Sequence, residues 1–247
     1  MYLLFNGQPL PAKVGLLGWS IASPKVTQRT IDVPDRRGLI YAGSKLGSRG
    51  ISFHFALLAE NGAEAVELHK QLCEWALSEN PAPLVLPTRE SQYIMAQCDD
   101  FPAPDMEEWW RPFDVGFICA SPEFIDIFPH SHALDSNLSV GGFWTLPIVT
   151  GGRLSTPVKF SITLNETVSG LDLWLDDTRM HLDGSIAAGA LAIDTEAGAV
   201  TLDGADITYL ATLDSDLTFN VEPGAHTVRW PTGVDMSGTI EWRERWL

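Results

Sequence analysis

Thirty-two carboxylates, six histidines and three cysteines are the groups in this 247-residue chain that could do chemistry, and their spacing argues against most of it. His130 and His132 form the nearest histidine pair, two apart in a run of small polar residues. Neither has a cysteine or second ligand at metal-site spacing on a strand or helix, so both are read as solvated side chains of a connection. Asp172, Asp176 and Asp177 could be drawn as a calcium cluster. No glycine-spaced ligand loop accompanies them, and outward residues of an amphipathic strand are the simpler reading. The chain has no glycine-rich phosphate loop, no Gly-x-Ser-x-Gly and no zincin signature. Nothing singles out a carboxylate pair for glycoside hydrolysis among so many acids. The expectation is a protein that is not an enzyme, with no catalytic residue, no cofactor and no metal.

Nine tryptophans suggest a second kind of chemistry, the stacking of indoles on pyranose faces. Trp144, Trp174 and Trp230 are the candidate glycan contacts. Trp174 stands out because strand alternation puts it on one face with Asp172 and Asp176, away from the neighbouring leucines. The competing reading is that large aromatics fill a core or an interface. Trp242 and Trp246, in parity with Ile240, are assigned to the core.

A third possibility is self-recognition. Residues 25–49 carry Lys25, Arg29, Arg36, Arg37, Lys45 and Arg49 against Asp32 and Asp35, a basic stretch in a chain of formal charge -16. Residues 99–108 form an acidic, proline-bearing loop with Asp99, Asp100, Glu107 and Glu108. Opposite patches on one chain can satisfy each other between copies, head to tail, and such a contact closes into a ring. Arg36, Arg37, Arg49, Asp99, Asp100, Glu107 and Glu108 are therefore the candidate subunit-interface residues.

The elements that position these groups are mostly strands. Ile51, Phe53, Phe55 and Leu57 alternate with smaller or polar residues, the period of a half-buried strand. Asn61 and Glu64 have the spacing of a reciprocal helix cap. Ala65, Leu68, Leu72, Trp75 and Ala76 then recur at helical spacing until Asn80-Pro81 stops the run. Glycines and serines between Gly38 and Gly50 make the basic stretch an extended arm or hairpin. A domain boundary is expected in the polar segment 129–142, giving domains 1–130 and 131–247. The second half reads as a β-sandwich of roughly eight strands, with strand-like runs that include Ile207–Leu210 and Leu217–Val221.

Composition sets the outer limits. The acidic balance disfavours a nucleic-acid binder, whose ligand would repel it, and adsorption to anionic membranes. No apolar run approaches the roughly 20 residues that span a bilayer. Three scattered cysteines and the lack of a basic, apolar leader fit a protein made in a cytoplasm.

The order of these segments resembles the distal tail proteins of long-tailed bacteriophages. The resemblance is carried by Ile31-Asp-Val-Pro-Asp-Arg-Arg-Gly38, Ser48-Arg-Gly-Ile-Ser-Phe-His-Phe55, the helix ending Leu72-Cys-Glu-Trp-Ala76, Pro83-Leu-Val-Leu86, Tyr93 and Val115-Gly-Phe-Ile-Cys-Ala-Ser-Pro122. In the second half it runs through Leu191-Ala-Ile-Asp194, Gly198-Ala-Val200, Gly204, Pro223-Gly-Ala-His-Thr-Val228 and Ile240-Glu-Trp-Arg-Glu-Arg-Trp-Leu247. Pro34-Asp35-Arg36-Arg37-Gly38 departs from the family's usual Pro-Gly-Arg-Asp-Gly turn, and the sugar-reading residues of true galectins are missing. The resemblance implies a mainly β fold: an N-terminal β-rich, split-barrel-like domain with one α-helix, then a galectin-like β-sandwich. It implies a structural virion protein, the homohexameric hub at the distal end of a non-contractile tail. Implied partners are the tail tube protein, a tail-tip, baseplate or tail-associated lysin protein, and a receptor-binding protein or host glycan. The alternative function is a carbohydrate-binding module for host-surface glycan.

Overall fold

The structure is a computed structural model that describes residues 2–34, 37–102, 109–134 and 139–247. The chain divides into two compact units, Met1–Phe124 and Ile125–Leu247. Both are built from antiparallel strands, and the described residues contain one α-helix, Gly62–Ala76. The β-rich class expected from the sequence is the class observed.

In the first unit a sheet runs in the order Gln8–Pro9, Leu4–Phe5, Ala82–Val85, Gln92–Asp100, Phe113–Cys119, Arg49–Leu57 and Val14–Ile21. Arg49–Leu57 lies between two partners, so its inward residues Ile51, Phe53, Phe55 and Leu57 are all buried. The helix lays Ala65, Leu68, Leu72 and Trp75 toward the core. Trp75 meets Phe5, Phe55 and Phe117 edge-on at ring distances of 5.8, 6.3 and 6.3 Å. Its indole N–H donates to the Gln8 carbonyl at 3.0 Å, so the polar end of the ring is satisfied where its body is buried.

Side chains also fix where this helix begins. The Asn61 side-chain oxygen accepts from the Glu64 amide at 3.0 Å, which satisfies one of the open donors of the first turn. The Glu64 carboxylate in turn accepts from the Glu60 amide at 2.7 Å and from Lys13 Nζ at 2.6 Å. The Lys13 hydrogen bond, followed by that of the Glu60 amide, holds the Glu64 carboxyl below the ordinary glutamate range.

The second unit is a sandwich. One sheet runs His130–Ala133, Met236–Trp242, Val158–Leu164, Gly189–Asp194, Ala199–Leu202 and Ala205–Asp206. The other runs Ser139–Val140, Phe143–Thr150, Gly224–Pro231, Val168–Leu175 and Thr178–Ile186. Their inward residues form one core that includes Phe160, Ile162, Leu171, Leu173, Leu191, Ile193, Val228, Trp230 and Trp242. Alternation is clean in Val158–Leu164, where each odd step is exposed and each even one buried. Two neighbouring strands of the first sheet approach closely at Gly238: a Cβ there would lie 2.3 Å from the Ser161 carbonyl oxygen and 2.8 Å from Ile162 Cα.

The structure differs from the sequence reading in several details. The segment taken as a connection contains the strand His130–Ala133, paired with Met236–Trp242, because both histidine rings stack on Trp242 at 5.9 and 5.7 Å. Thr208–Leu210 is a 3₁₀ turn rather than a strand, since the Asp206 carboxylate accepts from the Thr208 amide and closes the chain locally. Around Leu217 the same device, Asp216 accepting from the Thr218 amide, leaves no strand but a single bridge from Val221 to Thr156. The sandwich is also larger than eight strands. Asp183-Gly184 is an irregularity inside the strand Thr178–Ile186.

Two outcomes follow. Gly238→Ala pushes backbone against backbone and is expected to destabilise the chain by about 1–3 kcal/mol, measured by denaturant unfolding with wild type as reference. Glu64 has a depressed folded-state pKa, so its contribution to stability is present above its unfolded value, about 4.3, and lost as pH falls through the folded one. In carboxyl-resolved NMR, Glu64 should titrate below an ordinary glutamate, and Lys13→Ala should move it back up.

Candidate assembly surface

The basic stretch folds as a two-stranded hairpin, Val26–Asp32 against Leu39–Leu46. It leaves the body of the first unit at a short neck, where the Gly47 amide donates to the Lys25 carbonyl at 2.7 Å and the Ala22 amide to the Gly50 carbonyl at 2.9 Å. Val, Thr, Ile and Tyr favour extended backbone, and the cross-strand pairs Val26–Leu46, Ile31–Ile40 and Asp32–Leu39 set the register. Beyond the neck, every residue of Val26–Asp32 is exposed, and so is most of Leu39–Leu46. Val26, Ile31, Leu39 and Tyr41 are each more than half exposed, at 58, 53, 62 and 62%. The hairpin forms a sheet of its own, so the outer edge of each strand offers unpaired amides and carbonyls.

A second open edge lies on the body of the same unit. Val14–Ile21 ends the main sheet, paired on one side only with Arg49–Leu57. It shifts register between Leu16 and Gly18, and Leu17 there is 56% exposed.

The charged residues expected at an interface are scattered by the structure into three groups. Arg37 is exposed beside the hairpin turn, and Asp99 and Asp100 are exposed at the end of Gln92–Asp100. Arg36, Glu107 and Glu108 lie outside the described residues. Arg49 is a correction: it is buried, with its guanidinium carbon 5.5 Å from the Phe124 ring centroid. Burial, and then the neighbouring Arg89, lower its pKa. Its place on the core-facing side of the central strand explains this, and it is no surface cation. Lys25, Ser48 and Asp99 do share one cavity of about 240 Å³ at the neck, so the root of the basic arm and the start of the acidic loop come together in the fold. Sequence reasoning weighed the arm's charges and missed its exposed Val26, Ile31, Leu39 and Tyr41. Their β-branched and aromatic types within a charged stretch were the available signal.

The three indoles do not form a platform. Trp230 is fully buried in the sandwich core, which removes it as a glycan contact. Trp144 stands opposite Trp230 in the strand register and packs, partly buried, against the same core. Trp174 keeps company with two cations: the guanidinium carbons of Arg179 and Arg229 lie 5.5 and 5.3 Å from its ring. Arg179 is itself held by Asp172 at 2.7 Å and Asp214 at 2.8 Å. Asp176 accepts from the Thr227 amide and pairs with His226 at 2.6 Å. The aspartates that invited a calcium reading are thus engaged in ion pairs and a turn.

No helix among the described residues is long and apolar enough to cross a membrane. The family model for the siphovirus-type tail component, C-terminal domain, matches residues 151–246. Among curated proteins, none matches the sequence. The structure is similar to that of the SPP1 Dit protein (gp 19.1), described as a hub adsorption apparatus in phages that infect Gram-positive bacteria. The TM-score is 0.80 at 12% identity, over 100% of this chain and 99% of that one. Two structures of the phage p2 baseplate in its activated conformation align over 96% of this chain. With strontium the TM-score is 0.49 at 12% identity over 93% of that chain, and with calcium 0.48 at 10% over 92%. Residues 151–246 thus match the model of the siphovirus-type tail component, and the chain as a whole has the fold of the SPP1 Dit protein.

Proposed function

We propose that this chain is a structural subunit at the tip of a long, non-contractile phage tail, and that copies of it close into a hexameric ring through the first unit. The observation that carries the reading is the hairpin arm. A lone two-stranded hairpin is marginal in water at best, yet this one holds Val26, Ile31, Leu39 and Tyr41 away from the body of its unit. Each such side chain contributes about 1.5–3 kcal/mol when fully buried, so a partner surface that covers the arm gains substantially. The arm and an open sheet edge are different surfaces of one unit, which is what a head-to-tail contact requires. Charge works in the same sense. The first 130 residues hold 10 basic and 16 acidic side chains, and the arm is a local cationic excess on that acidic body.

In this reading one face of the ring meets the tail tube protein and the other meets a tail-tip, baseplate or tail-associated lysin protein. The sandwich supports a receptor-binding protein or touches the host. The protein works by shape and ring closure, not by catalysis, and its place is the virion tail tip. The carbohydrate-module alternative draws no support from the buried Trp230 or from Trp174 between its two arginines.

Light scattering on a sizing column tests the assembly. The expected mass is six times 27.1 kDa, with partial dissociation in high salt as the charged arm is screened. Ile31→Asp with Tyr41→Asp should shift the mass to that of a monomer while leaving the fold intact by circular dichroism. A wild-type monomer at every concentration, or an unchanged ring in the double variant, would overturn the proposal.

A further inference from the structure

We propose that Asp126, His130 and Glu244, all in the second unit, form a binding site for a divalent first-row cation of the zinc type. One side-chain donor atom from each residue lies within 4.8 Å of the other two. His130 Nε2 stands 3.4 Å from Asp126 Oδ2 and 3.7 Å from Glu244 Oε1. Donors around a tetrahedral ion with bonds of 2.0–2.1 Å are separated by about 3.4 Å, close to the two distances measured from His130 Nε2.

A direct histidine–carboxylate pair looks different, and the same chain supplies the comparison. His54 closes on Asp114 at 2.7 Å, His226 on Asp176 at 2.6 Å, and His181 lies 2.9 Å from Asp172. Among the described residues, the His130 nitrogen faces two carboxylates, each at a distance too long for a strong hydrogen bond. A cation among the three would lie within reach of one donor atom from each.

The site is held from outside. The His130 ring stacks on Trp242, with ring planes 17° apart, and this fixes the direction of Nε2. Glu244 Oε1 accepts from the Gly151 amide at 2.9 Å, and a Cβ at residue 151 would lie 2.4 Å from that oxygen, so the carboxylate needs a glycine there. The Asp126 amide donates to the Glu244 carbonyl at 3.1 Å and joins the two segments. Arg243 is turned onto the carbonyls of Asp126 and Ile127. Both carboxylates are mostly buried, at 18 and 16% exposure, whereas His130 is 47% exposed and leaves a route for the ion. One imidazole and two carboxylates suit zinc or manganese, with water in the fourth position. The ion would staple the first segment of the second unit to its last, residues 126–130 to residue 244.

Titration calorimetry of the full chain with zinc chloride tests the site. Wild type should take up one equivalent. His130→Ala and Glu244→Gln should bind at least about 100-fold more weakly, beyond the loss expected for an outer-shell partner, and His54→Ala should bind as wild type does. Zinc at saturation should raise the thermal midpoint of wild type by about 5 °C and leave that of His130→Ala where it was. A second readout needs no variant: zinc should protect His130 in the wild-type chain from diethyl pyrocarbonate, read by mass spectrometry. No saturable uptake, full binding by folded His130→Ala, or an unprotected His130 would overturn the proposal.

Discussion

A two-stranded ribbon buries almost nothing of itself, and that limit governs the first unit of this protein. The hairpin Val26–Asp32 and Leu39–Leu46 has hydrogen bonds along one seam only, with apolar side chains set into water. The rest of the unit is closed by contrast. Phe5, Phe53, Phe55, Trp75 and Phe117 form a continuous aromatic cluster, with the helix as its lid. A well-filled core lets the arm stand off without costing the body its stability, because the arm contributes nothing to that core.

The second unit solves a different problem. Its two sheets bury their inward faces against each other, and its surface chemistry turns inward too: Arg179 and Arg229 against Trp174, Asp176 on His226. Buried aromatic anchors with paired charges around them hold the module together. The family match covers this module, while the arm that sets the account of assembly belongs to the first unit.

The parts legible in the sequence are those where one local rule decides. Alternation at Ile51–Leu57 and helical spacing from Ala65 to Ala76 each followed from burial on one face. Arg49 was misread for a physical reason: it is one step outside the apolar run, yet it continues the parity of Ile51 and Phe53 and so points to the core. Trp230 shows the same effect, since its inward parity with Val228 was the stronger signal than its chemistry as an indole. The 3₁₀ turn after Asp206 was hidden because a side-chain hydrogen bond overrode a β-prone run. The cluster at Asp126, His130 and Glu244 could not be read at all, as 114 residues separate its last two members and only the fold brings them together.

The claim at the centre is that another copy of the chain completes the arm. Hydrogen exchange of the amides in residues 26–46, compared at high concentration and at dilution, tests it most directly. The account predicts protection of these amides when the chain is concentrated and its loss on dilution, while amides of the aromatic core stay unchanged. An arm that exchanges equally fast at both concentrations, in a chain that has associated, would contradict it.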